Sequence, residues 1–167
     1  MANMIPISTV TVGSGGASAI EFTNIPQTYT DLVIKGSARA STGTGANIVN
    51  VSFNGSTTGF TDRYIEGSGS AVGSYTDQPR MVGTANGSST TSNTFSNFET
   101  YIPNYNSSNY KSFSADMVQE NNATAAYSEL QAGLWSNTSP ITSISLTLNS
   151  GNFVQYSSAT LYGIRKY

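Results

Sequence analysis

The sequence contains no histidine and no cysteine, and only 10% of its 167 residues are charged. Histidine and cysteine supply most of the general bases, nucleophiles and soft-metal ligands of proteins, so this chain lacks the side chains for those kinds of chemistry. The lack of cysteine also excludes a scaffold held together by disulfide bonds. The composition therefore favours a non-enzymatic protein with no catalytic residues, no cofactor and no metal site.

Positive charge is scarce as well. Lysine and arginine total 7 against 9 aspartates and glutamates, which gives a net charge of -2, and Arg165-Lys166 is the only adjacent basic pair. A surface that follows a phosphate backbone needs clustered basic side chains. No stretch reaches the roughly 18 consecutive apolar residues of a membrane-spanning helix. We therefore expect neither nucleic acid nor a membrane as a partner.

What the chain does contain is suited to β-sheet. More than a third of its residues are serine, threonine or asparagine, and 11% are aromatic. Apolar and polar residues alternate in short runs, whereas no segment sustains a helical period. The run 144–148 puts Ile144, Leu146 and Leu148 on one face, and the run 31–39 puts Leu32 and Ile34 inward.

A third run, 48–53, places Val49, Val51 and Phe53 on one face and ends at Asn54-Gly55, a dipeptide typical of hairpins. Further strands are predicted at residues 8–12, 19–22, 63–66, 80–84, 95–102, 111–119, 128–135 and 158–165.

Short strands at this spacing predict an all-β protein, an antiparallel β-sandwich that is jelly-roll-like and has roughly ten short strands. Residues 1–18 would form an N-terminal arm and the first strand, and residues 19–167 a single sandwich domain. The glycine- and serine-rich segments 67–74 and 85–93 are predicted to be long loops. Only the stretch 121–130 tolerates a helix, of about one turn.

Three acidic residues, Asp62, Glu66 and Asp77, lie close together in the sequence around the first of these loops. Paired carboxylates can hydrolyse glycosides or hold a hard cation. The alternation of acids that marks a calcium loop is absent, and we interpret the three as solvated charges on loops and strand edges. The glycine-rich segments 13–16 and 42–45 are interpreted as turns, because no helix pattern follows either of them.

The aromatic residues are better candidates for a binding surface. Tyr101, Tyr105 and Tyr110 lie in a segment rich in asparagine, and Tyr127 and the single tryptophan, Trp135, follow it. Exposed aromatic rings beside amide side chains can anchor a protein interface or stack on sugars. The alternative, which the sequence leaves open, is a loop whose tyrosines fold back and cap the core.

Three segments carry a resemblance to a known group of proteins. The last is Tyr156-Ser157-Ser158-Ala159-Thr160-Leu161-Tyr162-Gly163-Ile164, which resembles the closing strand of small β-rich virion proteins of tailed bacteriophages. The segment from Phe22 to Ile34 looks like the opening of the same kind of domain, and residues 144–153 are similar as well. The resemblance implies a structural role with no catalytic residues.

Two roles are plausible within that group. A decoration or cement protein binds the outer capsid and stabilises it, whereas a tail-fibre module contacts host-surface glycan. A chain of one domain fits decoration better, with the major capsid protein or other virion proteins as partners and self-association into a small oligomer such as a trimer. Such a protein would be made in the host cytoplasm and released by lysis as part of the virion.

Candidate contact residues follow from these two roles. Protein contacts are expected in the N-terminal arm and the tyrosine-rich segment, at Asn3, Ile5, Tyr101, Tyr105 and Tyr110. If the protein were instead a tail module, the residues expected to touch glycan are Tyr105 and Trp135.

Overall fold

The computed structural model describes residues 3–122 and 126–165. These residues form twelve β-strands and no helix. The strands are β1 (Asn3–Thr11), β2 (Ala19–Phe22), β3 (Asp31–Ala38), β4 (Ala46–Phe53), β5 (Phe60–Gly67), β6 (Val72–Tyr75), β7 (Met81–Asn86), β8 (Ser96–Pro103), β9 (Lys111–Gln119), β10 (Tyr127–Trp135), β11 (Ile144–Leu148) and β12 (Ser158–Arg165). None of the described residues belongs to a helix long and apolar enough to cross a membrane.

The strands form two antiparallel sheets of unequal size. The larger has eight strands in the order β1-β12-β3-β8-β9-β10-β5-β6, and the smaller has four in the order β2-β11-β4-β7. Strand β7 packs against β8 and β9, and β2 packs against β1 and β12, so the sheets enclose one core between them. The predicted β-sandwich is therefore confirmed, with twelve strands rather than about ten; its jelly-roll character stays a prediction.

The alternation in the sequence places the core correctly where it is clearest. Leu32 and Ile34 are fully buried, as are Val49, Val51 and Phe53. Burying such side chains contributes roughly 1.5–3 kcal/mol each, so the inward faces of β3 and β4 hold the two sheets together.

One aromatic ring of the core packs directly against glycines of both sheets. The ring of Phe98 on β8 lies against Gly36 on the neighbouring β3 and against Gly83 on β7 of the other sheet. A Cβ atom at Gly36 would lie 2.1 Å from that ring, and one at Gly83 would lie 2.6 Å from it. Glycine at these two positions therefore makes the room that the phenyl ring occupies.

The N-terminal segment is a strand rather than an arm. Residues Asn3 to Thr11 pair along β12, with a bulge between Pro6 and Ser8, and form one edge of the larger sheet. Proline suits such an edge, because it has no N–H to donate to a further strand. Asn3 and Ile5, predicted as contacts on an arm, therefore lie within the sheet.

Two other local predictions differ from the structure. The predicted loop 67–74 contains most of β6, which pairs with β5 as the opposite edge of the larger sheet. Asn54 and Gly55 form a tight turn with positive φ angles of 53° and 74°, but no hairpin follows, because the chain crosses from β4 to β5 in the other sheet.

In the helix-tolerant stretch, residues 127–130 belong to β10, and residues 123–125 lie outside the described part.

Candidate functional site

The tyrosine-rich segment is held against the body of the protein. The hydroxyl of Tyr101 donates to Asp31 Oδ2 at 2.9 Å, and the backbone N–H of Asn104 donates to Asp31 Oδ1 at 3.0 Å. Tyr105 is fully buried and donates its hydroxyl to the carbonyl of Pro26, and burial raises the pKa of its phenol. Tyr105 thus caps the core and offers no ring surface to a partner.

A buried lysine fixes the rest of this segment. Lys111 Nζ donates to the carbonyls of Ser107 at 2.8 Å and Asn137 at 3.3 Å, and also to that of Asn109. Burial lowers the pKa of this ammonium group. Tyr110 alone among the three predicted tyrosines is well exposed, at 58%.

Trp135 lies in an aromatic cluster of the core. Its ring stacks on Phe60 with the centroids 6.1 Å apart, and it meets Phe53 edge-on at 5.4 Å. The ring is buried, so Trp135 cannot stack on a sugar. The prediction that Tyr105 and Trp135 contact glycan is therefore wrong, because both rings are used in packing.

The structure opens a groove between the two sheets, at the end of β5 and β10 that lies away from Trp135. Its volume is about 580 Å³. Glu66, Tyr64, Tyr127 and Glu129 form the wall from the larger sheet, and residues 43–48 with Met81 and Thr84 form the opposite wall. The glycine-rich turn at 42–45, which was expected to be only a turn, is thus also one rim of a groove.

Two glutamates face each other across this wall. Glu129 and Glu66 are direct partners in the pairing of β10 with β5. Glu129 is only 9% exposed, and burial, together with the negative charge of Glu66, raises its pKa to about 7. A carboxyl group that is so reluctant to ionise marks a place where negative charge lacks a positive partner.

Two of the three acids singled out in the sequence form hydrogen bonds between β5 and the segment that follows β6. Asp62 is buried and accepts the backbone N–H of Gln78 at 3.0 Å, and Asp77 accepts the hydroxyl of Tyr64 at 3.0 Å. Burial, followed by this hydrogen bond, raises the pKa of Tyr64. The interpretation of Asp62 as a solvated charge is therefore wrong: its carboxylate closes the turn after β6.

The outer face of the same strands carries apolar side chains that no other described residue covers. Ile65 on β5 and Leu130 on β10 are direct partners across the strands and are 51% and 53% exposed. Val72 on β6 is 87% exposed, and Ala132 extends the apolar surface along β10. We call these four residues the outer patch.

No protein-family model matches the sequence, and comparisons with curated proteins and with solved structures give no match. Within residues 3–122 and 126–165, no group of three or more acidic, histidine or cysteine side chains is placed to hold a metal ion.

Glu129, which lines the groove, was not among the site residues predicted from the sequence. A signal for it exists, because Glu129, Gly133 and Trp135 fall on the same face of a strand and a lone tryptophan is usually buried. The competing pattern of Leu130, Ala132 and Leu134 on the other face hides it.

Proposed function

We propose that this protein is a non-enzymatic structural protein of a tailed-bacteriophage virion, a capsid decoration protein that binds the outer shell and stabilises it. The sequence resemblance described above supports the virion assignment. The outer patch supports attachment to another protein and is the observation that carries the proposal. A decoration protein stabilises a shell by mass action, because it binds the assembled subunits and not the separated ones.

The outer patch has the chemistry of an interface centre. Ile65, Leu130 and Val72 form a contiguous apolar surface, and Arg63 and Asp116 lie beside it as polar neighbours. Apolar centres with polar rims are typical of protein–protein contacts. Tyr110 is a second, separate candidate contact.

The test is cryo-electron microscopy of purified particles, combined with rebinding of the protein to particles that lack it. We expect density at symmetry-repeated positions on the shell, with β5 and β10 facing the capsid subunits. The variants Ile65→Asp and Leu130→Asp should each weaken rebinding about 30-fold or more, as substitutions at an interface centre do.

The control is Thr147→Asp, which adds the same charge on the outside of the smaller sheet and should leave rebinding unchanged. Density at the tail alone, or rebinding of Ile65→Asp at the level of the unaltered protein, would contradict the proposal. Sedimentation of both variants tests whether the patch instead joins copies of this chain: an oligomer that dissociates while shell binding persists would assign it to self-association.

A further inference from the structure

The groove between the two sheets has a one-sided charge. Glu66 and Glu129 supply its two carboxylates, and none of the described residues that line it is a lysine or an arginine. Two carboxylates on directly opposed residues of neighbouring strands repel each other, and this arrangement costs stability. The groove is therefore a place where a positively charged occupant would be stabilised by both groups.

The atoms that lack partners in the groove are oxygens. Glu129 Oε2, Asn47 Oδ1 and Thr84 Oγ1 are buried and have no hydrogen-bond partner in the described part of the chain. A buried polar atom left unpaired costs about 1–3 kcal/mol, so a hydrogen-bond donor that reached these atoms from the groove would be stabilised. Carboxylate and amide oxygens only accept hydrogen bonds, and the occupant must therefore donate them.

Aromatic rings complete the wall. Tyr64 and Tyr127 line the groove, and the ring of Tyr75 packs against that of Tyr64 at a tilt of 31°, with the centroids 5.1 Å apart. The faces of aromatic rings attract cations, more strongly where water is excluded. The two glutamates repel anions, and no group of three or more acidic, histidine or cysteine side chains among the described residues is placed to hold a metal ion.

We propose that this groove binds an organic cation, an ammonium or guanidinium group, with Glu129 and Glu66 as its counter-ions and Asn47 and Thr84 as further acceptors. A neutral sugar would satisfy the unpaired oxygens but would leave the repulsion between the glutamates in place. A cation satisfies the unpaired oxygens and also removes the repulsion between the glutamates, and the observations therefore favour a cation. The site lies on the inward face of β5 and β10 and is distinct from the outer patch.

The cation could belong to a small amine or to a lysine or arginine side chain of a partner protein. The test uses three probes at about 10 mM salt and pH 8: butylammonium, N-acetyl-lysine methylamide and the tripeptide Ala-Lys-Ala. N-acetyl-norleucine methylamide is the matched neutral compound, and glucose and calcium chloride are the competing classes. Binding is followed by NMR shifts of the backbone amides.

The blocked lysine should bind with a dissociation constant on the order of 1 mM, as expected for a ligand of this size. Shifts should be confined to the residues that line the groove, and the norleucine compound should cause none. The variants Glu129→Gln and Glu66→Gln should each weaken binding at least tenfold. Asp116→Asn removes the same charge from the outer face of β9 and should leave binding unchanged.

Butylammonium binding as tightly as the peptide supports a small amine, and tighter peptide binding supports a side chain of a partner. Equal binding of the norleucine compound, preferential binding of glucose or calcium, or unchanged binding by Glu129→Gln would each overturn the proposal. This test does not involve attachment to the shell. A negative result would therefore overturn the cation site without bearing on the proposed function.

Discussion

Replacing Glu129 by glutamine should change how the stability of this protein depends on pH. In the unfolded chain this carboxyl group has its ordinary pKa of 4.5, and in the folded protein burial and the charge of Glu66 raise the pKa to about 7. Between these two values the unfolded chain has released the proton while the folded protein still holds it. Raising the pH through this window therefore favours the unfolded state.

The magnitude follows from the two pKa values. They differ by about 2.5, and each pKa unit is equivalent to 1.36 kcal/mol, so ionisation of Glu129 costs the folded protein up to about 3 kcal/mol. The cost is absent below pH 4.5, where the group is protonated in both states, and is complete above pH 7. Glutamine has nearly the same shape and no proton to lose, so the variant avoids it.

The assay is urea denaturation of both proteins at intervals from pH 4 to pH 8, in low salt and without added amines. The free energies of unfolding should agree near pH 4, and the variant should be more stable by up to about 3 kcal/mol at pH 8. The other ionisable groups near Glu129 are Glu66 and the phenols of Tyr64, Tyr75 and Tyr127, all of which both proteins retain.

The control is Asp116→Asn, whose stability should follow the pH dependence of the unaltered protein, because that side chain is exposed. A difference between Glu129→Gln and the unaltered protein that stays constant from pH 4 to pH 8 would refute the reasoning. It would mean that Glu129 titrates in the folded state as it does in the unfolded chain.

Three further substitutions test the packing. Gly83→Ala should lower the free energy of unfolding by about 1–3 kcal/mol in urea denaturation, because its Cβ would lie 2.6 Å from a core ring. Gly13→Ala, which has open space around it, should leave the free energy of unfolding unchanged. Equal losses of stability in the two variants would contradict the close approach at Gly83. Trp135→Ala should cost about 3–5 kcal/mol by the same assay, and a smaller loss would argue against its buried position. Lys111→Ala should lower the free energy of unfolding by about 2 kcal/mol in chemical denaturation, because it leaves buried carbonyls unpaired. Lys35→Ala breaks only an exposed ion pair and should lower the free energy of unfolding by less than about 1 kcal/mol. A larger loss in Lys35→Ala than in Lys111→Ala would be inconsistent with the structure.

The fold class and most of the strands could be predicted from the residues without the structure. The predicted bounds of β2, β9, β11 and β12 are those of the structure, because each is a short alternating or β-branched run ended by turn residues. Local chemistry is sufficient in these places, since both the inward face and the ends of the strand can be read from a few neighbouring residues.

Strand β6 could not be predicted from the sequence. Its residues, Val72 to Tyr75, include glycine and serine and show no buried face, so they carry little intrinsic preference for a strand. Pairing with β5 and the contact between the rings of Tyr75 and Tyr64 hold them there. The arm predicted at the N-terminus became β1 for the same reason, because β12 offers it an edge to pair with.

Which residues form the candidate site depends on how β10 packs against the other sheet. In β10 both faces carry apolar residues, and only the packing of Trp135 against Phe53 and Phe60 turns Leu130 outward and Glu129 inward. A period of two fixes which residues share a face, but it does not say which face meets the core. Which face of β10 meets the core depends on packing against a second sheet whose strands are distant in sequence. This packing determines which residues form the outer patch and which line the groove.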